Sequence, residues 1–189
     1  MPDLLKFTLP RLPGPWIIWL LILVTRYGFL KLFSPAAAGE ADEVPVFSSL
    51  DAGAHRVHMV SSLGLLAMSV FLEFRLDTPA GYIGIILLTA GWLLYTLSFY
   101  NFSRREPGKP AVGGLFAVSR HPVHLSFLLT QYGICLATLS LPYTLVTAAY
   151  HVASEIMVRA EEIECRRRYG DDYGAYEKRV RRYIGRKPL

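Results

Sequence analysis

Residues 120–162 read RHPVHLSFLLTQYGICLATLSLPYTLVTAAYHVASEIMVRAEE, and this stretch decides the fold. Two apolar segments, 122–138 and 141–158, are separated by a short turn and carry charged residues at their outer ends. An ionisable residue at membrane depth is costly unless it is paired or lines a wet cavity. The stretch therefore predicts a pair of membrane helices with candidate site residues at their charged ends.

The composition of the whole chain predicts an integral membrane protein. The 189 residues are 52% hydrophobic, and the mean hydropathy is +0.32. Crossing a hydrocarbon core takes about 20 apolar residues per helix. The predicted spans are 16–33, 55–74, 81–102, 122–138 and 141–158. We therefore expect an all-α, polytopic membrane helical bundle of about five transmembrane helices, with little chain left for a soluble domain.

The first apolar segment also has features of a secretory signal peptide. Basic residues come before an apolar core at 16–24, and alanines follow at 36–38. Arg26 and Lys31, however, interrupt the approach to the supposed cleavage site. The sequence therefore favours a retained first transmembrane helix.

The distribution of Lys and Arg predicts the orientation, because basic residues resist translocation. Ten basic residues lie from Arg159 onward, and four more lie between the third and fourth spans. Both regions are therefore expected on the cytoplasmic side. Anionic lipid headgroups attract such residues by about 1 kcal/mol each. We accordingly expect membrane lipids as partners of this face and no nucleic acid.

The C-terminal tail carries a helical pattern of aromatic residues. Tyr169, Tyr173, Tyr176, Val180 and Tyr183 recur at steps of three and four residues. This predicts a cytoplasmic amphipathic helix at the membrane interface. Two roles are open for it, anchoring the bundle or capping a site.

A polar stripe runs along the fifth predicted span. His151, Glu155, Arg159 and Glu162 follow one another at steps of four, four and three, which places them on one helix face. One interpretation is an ion pair between Glu155 and Arg159, with the other side chains reaching the surface. The other is the wall of a cavity that receives a polar cosubstrate from the cytoplasm.

The entrance to the fourth span has the features of an anion site. A loop rich in Gly and Pro at 108–114 comes before it, and Pro122 suits the first turn of a helix. The free amides of a helix start can bind an anion. The Arg120 guanidinium can donate two parallel hydrogen bonds to a carboxylate or phosphate, and His121 adds a titratable ring.

Cysteines and histidines predict neither a disulfide nor a metal site. Cys135 falls inside the fourth span and Cys165 in the cytoplasmic tail, a placement that does not support pairing. His55 and His58 can share a helix face, but no third ligand follows at a suitable spacing. We therefore expect no metal.

Residues of the C-terminal region form an ordered set. They are Gly114, Phe116, Arg120, His121, Pro122, Glu161, Glu162, Tyr169, Gly170, Tyr173, Tyr176 and Val180. The set resembles the isoprenylcysteine carboxyl methyltransferase and phospholipid methyltransferase superfamily, over roughly residues 113–184. The first three spans carry no such motif. The resemblance thus divides the chain into a membrane region, 1–102, and a cofactor-binding region, 103–189.

The resemblance implies a membrane enzyme that takes S-adenosylmethionine from the cytoplasm and methylates a lipophilic acceptor. The cofactor carboxylate would lie near Arg120, its cationic groups near Glu161 or Glu162, and its adenine near His121 or a tail tyrosine. The implied catalytic residues are Glu162 and Arg166. The implied cofactor-binding residues are Gly114, Arg120, His121, Pro122, His124, Glu161, Glu162, Tyr173 and Tyr176.

The chain also departs from the family pattern. His124 stands where the family usually has Tyr, and Ser126 stands where it has Gly. The other departures are Cys165 for Leu, Tyr169 for Phe, and Gly185 where Pro commonly follows. The first two border the inferred cofactor pocket, which suggests a divergent acceptor.

Two alternatives remain open. Membrane sterol reductases resemble the same C-terminal pattern, and the run from Cys165 to Gly170 is similar to theirs, with arginines suited to the phosphates of NADPH. Those enzymes generally have more spans than 189 residues supply, so length favours the methyltransferase. The second alternative is a non-catalytic membrane protein of the same fold.

Overall fold

The computed structural model describes residues 14–33, 49–106 and 108–186, and this part of the chain is all-α. Helix α1 comprises Trp16–Leu23, a π-helical stretch Val24–Phe29 and a last turn Leu30–Phe33. It is followed by α2 Ser49–Ser69, α3 Pro79–Ser103, a 3-10 turn Gly114–Ala117, α4 Pro122–Thr138 and α5 Leu141–Arg179. The predicted all-α class is confirmed.

The helices lie close to the predicted apolar spans, with two differences. Helix α2 begins before the first residue of the predicted span 55–74 and ends before its last residue. The early start was not predicted, because the first turns of the helix are polar and give no apolar signal. After Ser69 the chain turns toward α4, where the Arg75 N–H donates to the Ala137 carbonyl at 2.7 Å. Helix α5 continues well past 158, through residues too polar for a span.

Among the described residues, one helix is long and apolar enough to cross a membrane, namely α3. The large apolar side chains that α3 leaves exposed include Ile83, Ile86 and Leu93. An apolar helix with such an outer face is compatible with membrane association.

Helices α3 and α4 meet with their backbones in contact. A Cβ atom added to Gly84 would lie 2.2 Å from the Ala137 nitrogen, and one added to Gly133 would lie 2.4 Å from the Leu88 nitrogen. Gly91 makes a third approach of this kind, beside Thr130. Small residues allow this proximity, which membrane helices use to gain packing energy.

A buried polar contact joins α1, α4 and α5 inside the apolar core. The Trp19 Nε1–H donates to the Tyr143 hydroxyl at 3.3 Å. The Tyr143 hydroxyl donates in turn to Oε1 of Gln131 at 2.6 Å. Because buried polar groups are costly without partners, these bonds favour one arrangement of the three helices.

Gly170 redirects the last helix. Its φ of 52° and ψ of −125° interrupt α5, in a region that is open essentially to glycine alone. The chain beyond it, which we call the tail helix (171–179), buries Tyr173, Tyr176 and Val180 in a cluster of its own. The predicted tail helix is therefore present, and its buried side chains pack against protein.

We expect Gly133→Ala to destabilise the bundle. Its Cβ would meet backbone atoms of α3, and such overpacking costs about 1–3 kcal/mol. The matched control is Gly64→Ala in α2, whose Cβ would make an ordinary 3.8 Å contact with Val146. Thermal unfolding in detergent should give a lower Tm for Gly133→Ala and an unchanged or higher one for Gly64→Ala. Equal Tm values would argue against the close contact of α3 with α4.

Gly170→Ala should detach the tail helix, because the new side chain cannot adopt the backbone angles at the kink without a cost of about 1–3 kcal/mol. Gly174→Ala is the control, since Gly174 is helical and has nothing near its would-be Cβ. Limited proteolysis should cleave the Gly170→Ala tail faster than the wild-type tail. Equal cleavage rates in the two variants would contradict the kink.

Candidate functional site

The two polar motifs meet at one end of the antiparallel pair α4 and α5. Pro122 is the first residue of α4, as predicted, so Arg120 and His121 lie just before the helix. Glu161 and Glu162 lie beside them on α5. The sequence prediction that these ends hold a polar cluster therefore agrees with the geometry.

Glu162 lies at the centre of this cluster and is 1% exposed. Arg182 donates to both of its carboxylate oxygens, at 3.0 and 2.6 Å. Nη2 of Arg120 lies 2.9 Å from Oε1, and Nε2 of His121 lies 3.4 Å from the same oxygen. A buried carboxylate is stable only with such compensation.

The cluster continues through Arg120 into the tail helix. Nη1 of Arg120 lies 2.6 Å from Oε1 of Glu177. Glu177 also accepts two hydrogen bonds from Arg166, at 2.9 and 2.7 Å. We call the alternating set Arg182, Glu162, Arg120, Glu177 and Arg166 the ion-pair network. It joins the start of α4, the body of α5 and the tail.

The network changes the acidity of its members. Burial alone would raise the pKa of Glu162, but hydrogen bonds from His121 and Arg182 and the charge of Arg120 together lower it to about 2. The hydrogen bonds from Arg166 lower the pKa of Glu177 to about 2. Burial would lower the pKa of His121, yet its contacts with Glu161 and Glu162 raise it above the usual value.

Backbone amides at the start of α4 are occupied by the tail. The Arg120 N–H donates to the carbonyls of Arg181 and Arg182, at 3.2 and 3.1 Å. The His121 N–H donates to the Ser119 hydroxyl and to the Arg182 carbonyl. These two amides come before Pro122, the first residue of α4, and the chain after the tail helix folds back onto them.

Glu161, unlike Glu162, faces open space. Its side chain is 51% exposed, and its Oε2 lies 3.5 Å from Nδ1 of His121. His58 of α2, His124 of α4 and Tyr150 of α5 all lie within reach of its charge. We call this group of five residues the Glu161 cleft. Nε2 of His124 is buried and has no hydrogen-bond partner among the described residues.

Three of the predicted cofactor-binding residues, Gly114, Tyr173 and Tyr176, make contacts within the protein. Gly114 has a φ of 59°, and a Cβ there would overlap the Asn101 side chain. Tyr173 and Tyr176 are buried against each other, and the Tyr176 hydroxyl donates to the Phe116 carbonyl at 2.6 Å. Arg166 likewise lies in the ion-pair network. The hydrogen bonds of Tyr176 hold the tail helix against residues 116–119.

Two residues of the polar stripe of α5, Glu155 and Glu162, contact the C-terminal hairpin, which comprises residues 180–186 and is closed by a bridge between Val180 and Arg186. Glu155 accepts a short hydrogen bond from the Tyr183 hydroxyl, and its Oε1 lies 3.6 Å from Nε2 of His151. Arg159 is exposed, so the ion-pair interpretation of Glu155 with Arg159 does not describe the contacts that Glu155 makes. Arg182 and Tyr183 were missed as site residues, since a basic, aromatic tail carries no local signal for a long-range contact.

Two apolar grooves lie elsewhere, between α2 and α5. Their volumes are about 590 and 470 Å³, and both include Val57 and Ala149 in their walls. The motif residues do not line either groove, so we place the candidate site at the polar cleft. Within the described part of the chain, no group of three or more His, Cys, Asp or Glu side chains is arranged to hold a metal ion. Cys135 and Cys165 are both free thiols.

Comparison with protein-family models, curated proteins and solved structures found no match to this chain.

Glu162→Gln should destabilise the protein, because it leaves the buried guanidinium of Arg120 and the partly exposed guanidinium of Arg182 short of a countercharge. The lowered pKa of Glu162, from 4.5 to about 2, corresponds to about 3 kcal/mol. A depressed folded-state pKa means that this stability is present above pH 4.5 and is lost as the pH falls toward 2. The stability difference between wild type and variant should therefore shrink over that window.

Glu164→Gln is the control for this experiment. Glu164 pairs with Arg167, whose side chain is 71% exposed, and such surface pairs contribute about 0–1 kcal/mol. Chemical denaturation in detergent at neutral and acid pH should separate the two variants. A Glu162→Gln protein as stable as Glu164→Gln at neutral pH would show that the network does not hold the tail.

Proposed function

We propose that the chain is an integral membrane methyltransferase that uses S-adenosylmethionine and methylates a lipophilic acceptor. The observation that carries the proposal is the Glu161 cleft beside the buried ion-pair network. Both lie at the polar ends of two apolar helices, next to a tail that packs onto the same end.

The membrane part of the proposal rests on the outer surface of the helices. Large apolar side chains are exposed on each of them, and examples are Leu20, Val60, Ile86, Leu136 and Val152. Soluble monomers rarely expose contiguous apolar surface on this scale. We therefore propose that α1, α2, α4 and the first part of α5 span the membrane together with α3, with the Glu161 cleft on the basic, cytoplasmic side.

The cleft residues fit the chemical groups of the cofactor. The half-exposed Glu161 carboxylate suits an ammonium or sulfonium cation, and the unpartnered Nε2 of His124 offers a hydrogen-bonding group. His121 adds a second ring at the same place. When bound, the cofactor would supply an activated methyl group on sulfur. We assign cofactor contact to these three residues.

Arg120, Glu162 and Arg166 receive a different role in the proposal. Their charges are already matched by one another and by Glu177 and Arg182. We therefore assign them as positioning residues that hold His121 and the tail in place. Methyl transfer needs an in-line approach of the acceptor to the methyl group, so positioning contributes more than a covalent catalyst would.

The reductase alternative has less support from the contacts. Arg166 and Arg167, which would bind NADPH phosphates, donate to Glu177 and Glu164. Arg168 lies over the ring of Tyr169 at 5.9 Å. The arginine run therefore has protein partners that satisfy its members.

Calorimetric titration of the detergent-purified protein with S-adenosylhomocysteine should show binding to the wild type. Glu161→Gln should weaken that binding by about tenfold or more, because a charge-assisted contact is lost. Glu164→Gln should bind as the wild type does, and thermal unfolding should show that both variants are folded.

A parallel titration with NADPH tests the reductase. Binding of NADPH alone would overturn the methyltransferase proposal in favour of that class. Binding of neither compound would support a non-catalytic protein, and equal binding to wild type and Glu161→Gln would remove Glu161 from the site.

A further inference from the structure

A second polar constellation lies between α4 and α5, farther along the helices than the Glu161 cleft. The Tyr132 hydroxyl lies 2.8 Å from Nδ1 of His151. Nε2 of the same ring lies 3.6 Å from Oε1 of Glu155, and Glu155 is anchored by the hydroxyl of Tyr183. The ion-pair network uses none of these four residues.

This constellation opens onto an apolar surface. Tyr132 is 36% exposed and the His151 side chain is 38% exposed. Each residue lies ten positions into its helix, which is about 15 Å at 1.5 Å per residue. Leu136 and Val152 are exposed beside them. A titratable network on an apolar helix face is costly, and such groups are retained mainly for function.

The geometry defines where a proton can go. We assign the ring tautomer from its partners: the Tyr132 hydroxyl donates to Nδ1 of His151, so Nε2 carries the hydrogen that faces Glu155. The carboxylate then orients the imidazole. His151 can therefore accept a proton through Tyr132.

Other titratable groups lie near this route on α4 and on the C-terminal hairpin. His124 of α4 lies within reach of the charges of His151 and Glu155, and also of His121 and Glu161. The constellation and the Glu161 cleft are thus neighbours at His124, which belongs to the cleft. From the C-terminal hairpin, Tyr183 contacts Glu155 directly, and the charge of Arg182 lies within reach of the same carboxylate.

We propose that Tyr132, His151 and Glu155 form a proton-accepting relay for a lipophilic acceptor whose reacting group is a phenolic hydroxyl. The substrate class rests on the proposed methyltransferase function. A carboxylate is ionised at neutral pH and needs no base, whereas a phenol, with a pKa of about 10, must lose its proton. A neutral phenol can also approach an apolar face without the desolvation cost of an ammonium group.

The reaction balances as follows in atoms and charge. The phenolic proton passes to the Tyr132 oxygen while the Tyr132 proton passes to Nδ1 of His151. The phenol oxygen forms a bond to the methyl carbon of the sulfonium donor. The carbon–sulfur bond breaks, and its electron pair stays on sulfur. The products are a methyl aryl ether, a neutral thioether and one proton on His151, which is released to solvent.

The relay can be tested without any methyl donor. The probe is 4-nitrophenol carrying a dodecyl chain, whose phenolate absorbs visibly and whose neutral form does not. In detergent at fixed pH, the probe bound to the wild-type protein should have a higher ratio of phenolate to phenol than the probe in the same detergent without protein. His151→Gln and Tyr132→Phe should each lower that ratio by about tenfold or more, while Tyr82→Phe, an exposed tyrosine of α3, should leave it unchanged.

Unchanged ratios in both relay variants, or a probe that stays neutral on the wild type, would overturn the proposal. Tyr132→Phe keeps the test decisive if His151→Gln does not fold, since it removes one hydroxyl only. Because the assay contains no methyl donor, its result is independent of the titration with S-adenosylhomocysteine. A relay without S-adenosylhomocysteine binding would refute the methyltransferase and leave the proton site standing.

The acceptor class is tested by methyl transfer with dodecylphenol and dodecylamine as probes. Transfer to dodecylphenol should fall by about 10²- to 10⁴-fold in Tyr132→Phe and His151→Gln, the usual contribution of a general base. Binding of S-adenosylhomocysteine should be retained in both variants. Transfer to dodecylamine but not to dodecylphenol would overturn the phenolic class.

Discussion

The carboxylate of Glu162 is buried among apolar helices, and an uncompensated charge in such a place costs several kcal/mol. Two guanidinium groups compensate it, one from Arg120 before α4 and one from Arg182 beyond the tail helix. The second can reach Glu162 only if the chain reverses between residues 162 and 182, and the backbone angles of Gly170 make that reversal possible. Much of the C-terminal architecture therefore follows from one buried charge.

The same constraint gives the neighbouring residues Glu161 and Glu162 different surroundings. Successive residues on a helix point about 100° apart, so Glu161 cannot share the surroundings of Glu162. Glu162 is neutralised by the network, whereas Glu161 keeps a half-exposed carboxylate beside His121 and His124. A carboxylate that the protein does not neutralise fully is the one that can attract a cationic ligand.

Apolar periodicity was sufficient to predict α3 and α4, because long apolar runs bounded by polar residues have few other solutions. It did not predict that α5 extends to Arg179, since those turns are polar and their burial depends on contacts distant in sequence. For the same reason Arg120 was expected to bind a ligand, although two protein carboxylates hold it. The residue types in the sequence were enough to predict a polar cluster. Which residues pair within the cluster depends on contacts between distant parts of the chain and is seen only in the structure.

Ser126 and His124 stand where the methyltransferase pattern that the sequence resembles has Gly and Tyr, and their surroundings differ. The Ser126 hydroxyl is buried and donates to the carbonyl of Pro122 at 2.7 Å. Its hydrogen bond is therefore made within α4. His124 is a residue of the Glu161 cleft, lies within reach of the charge of His151, and has one ring nitrogen without a partner among the described residues. Under the proposed function, a ring at this position would lie near both the cofactor and the acceptor. Of the two residues, His124 is therefore the one that we expect to accompany a different acceptor.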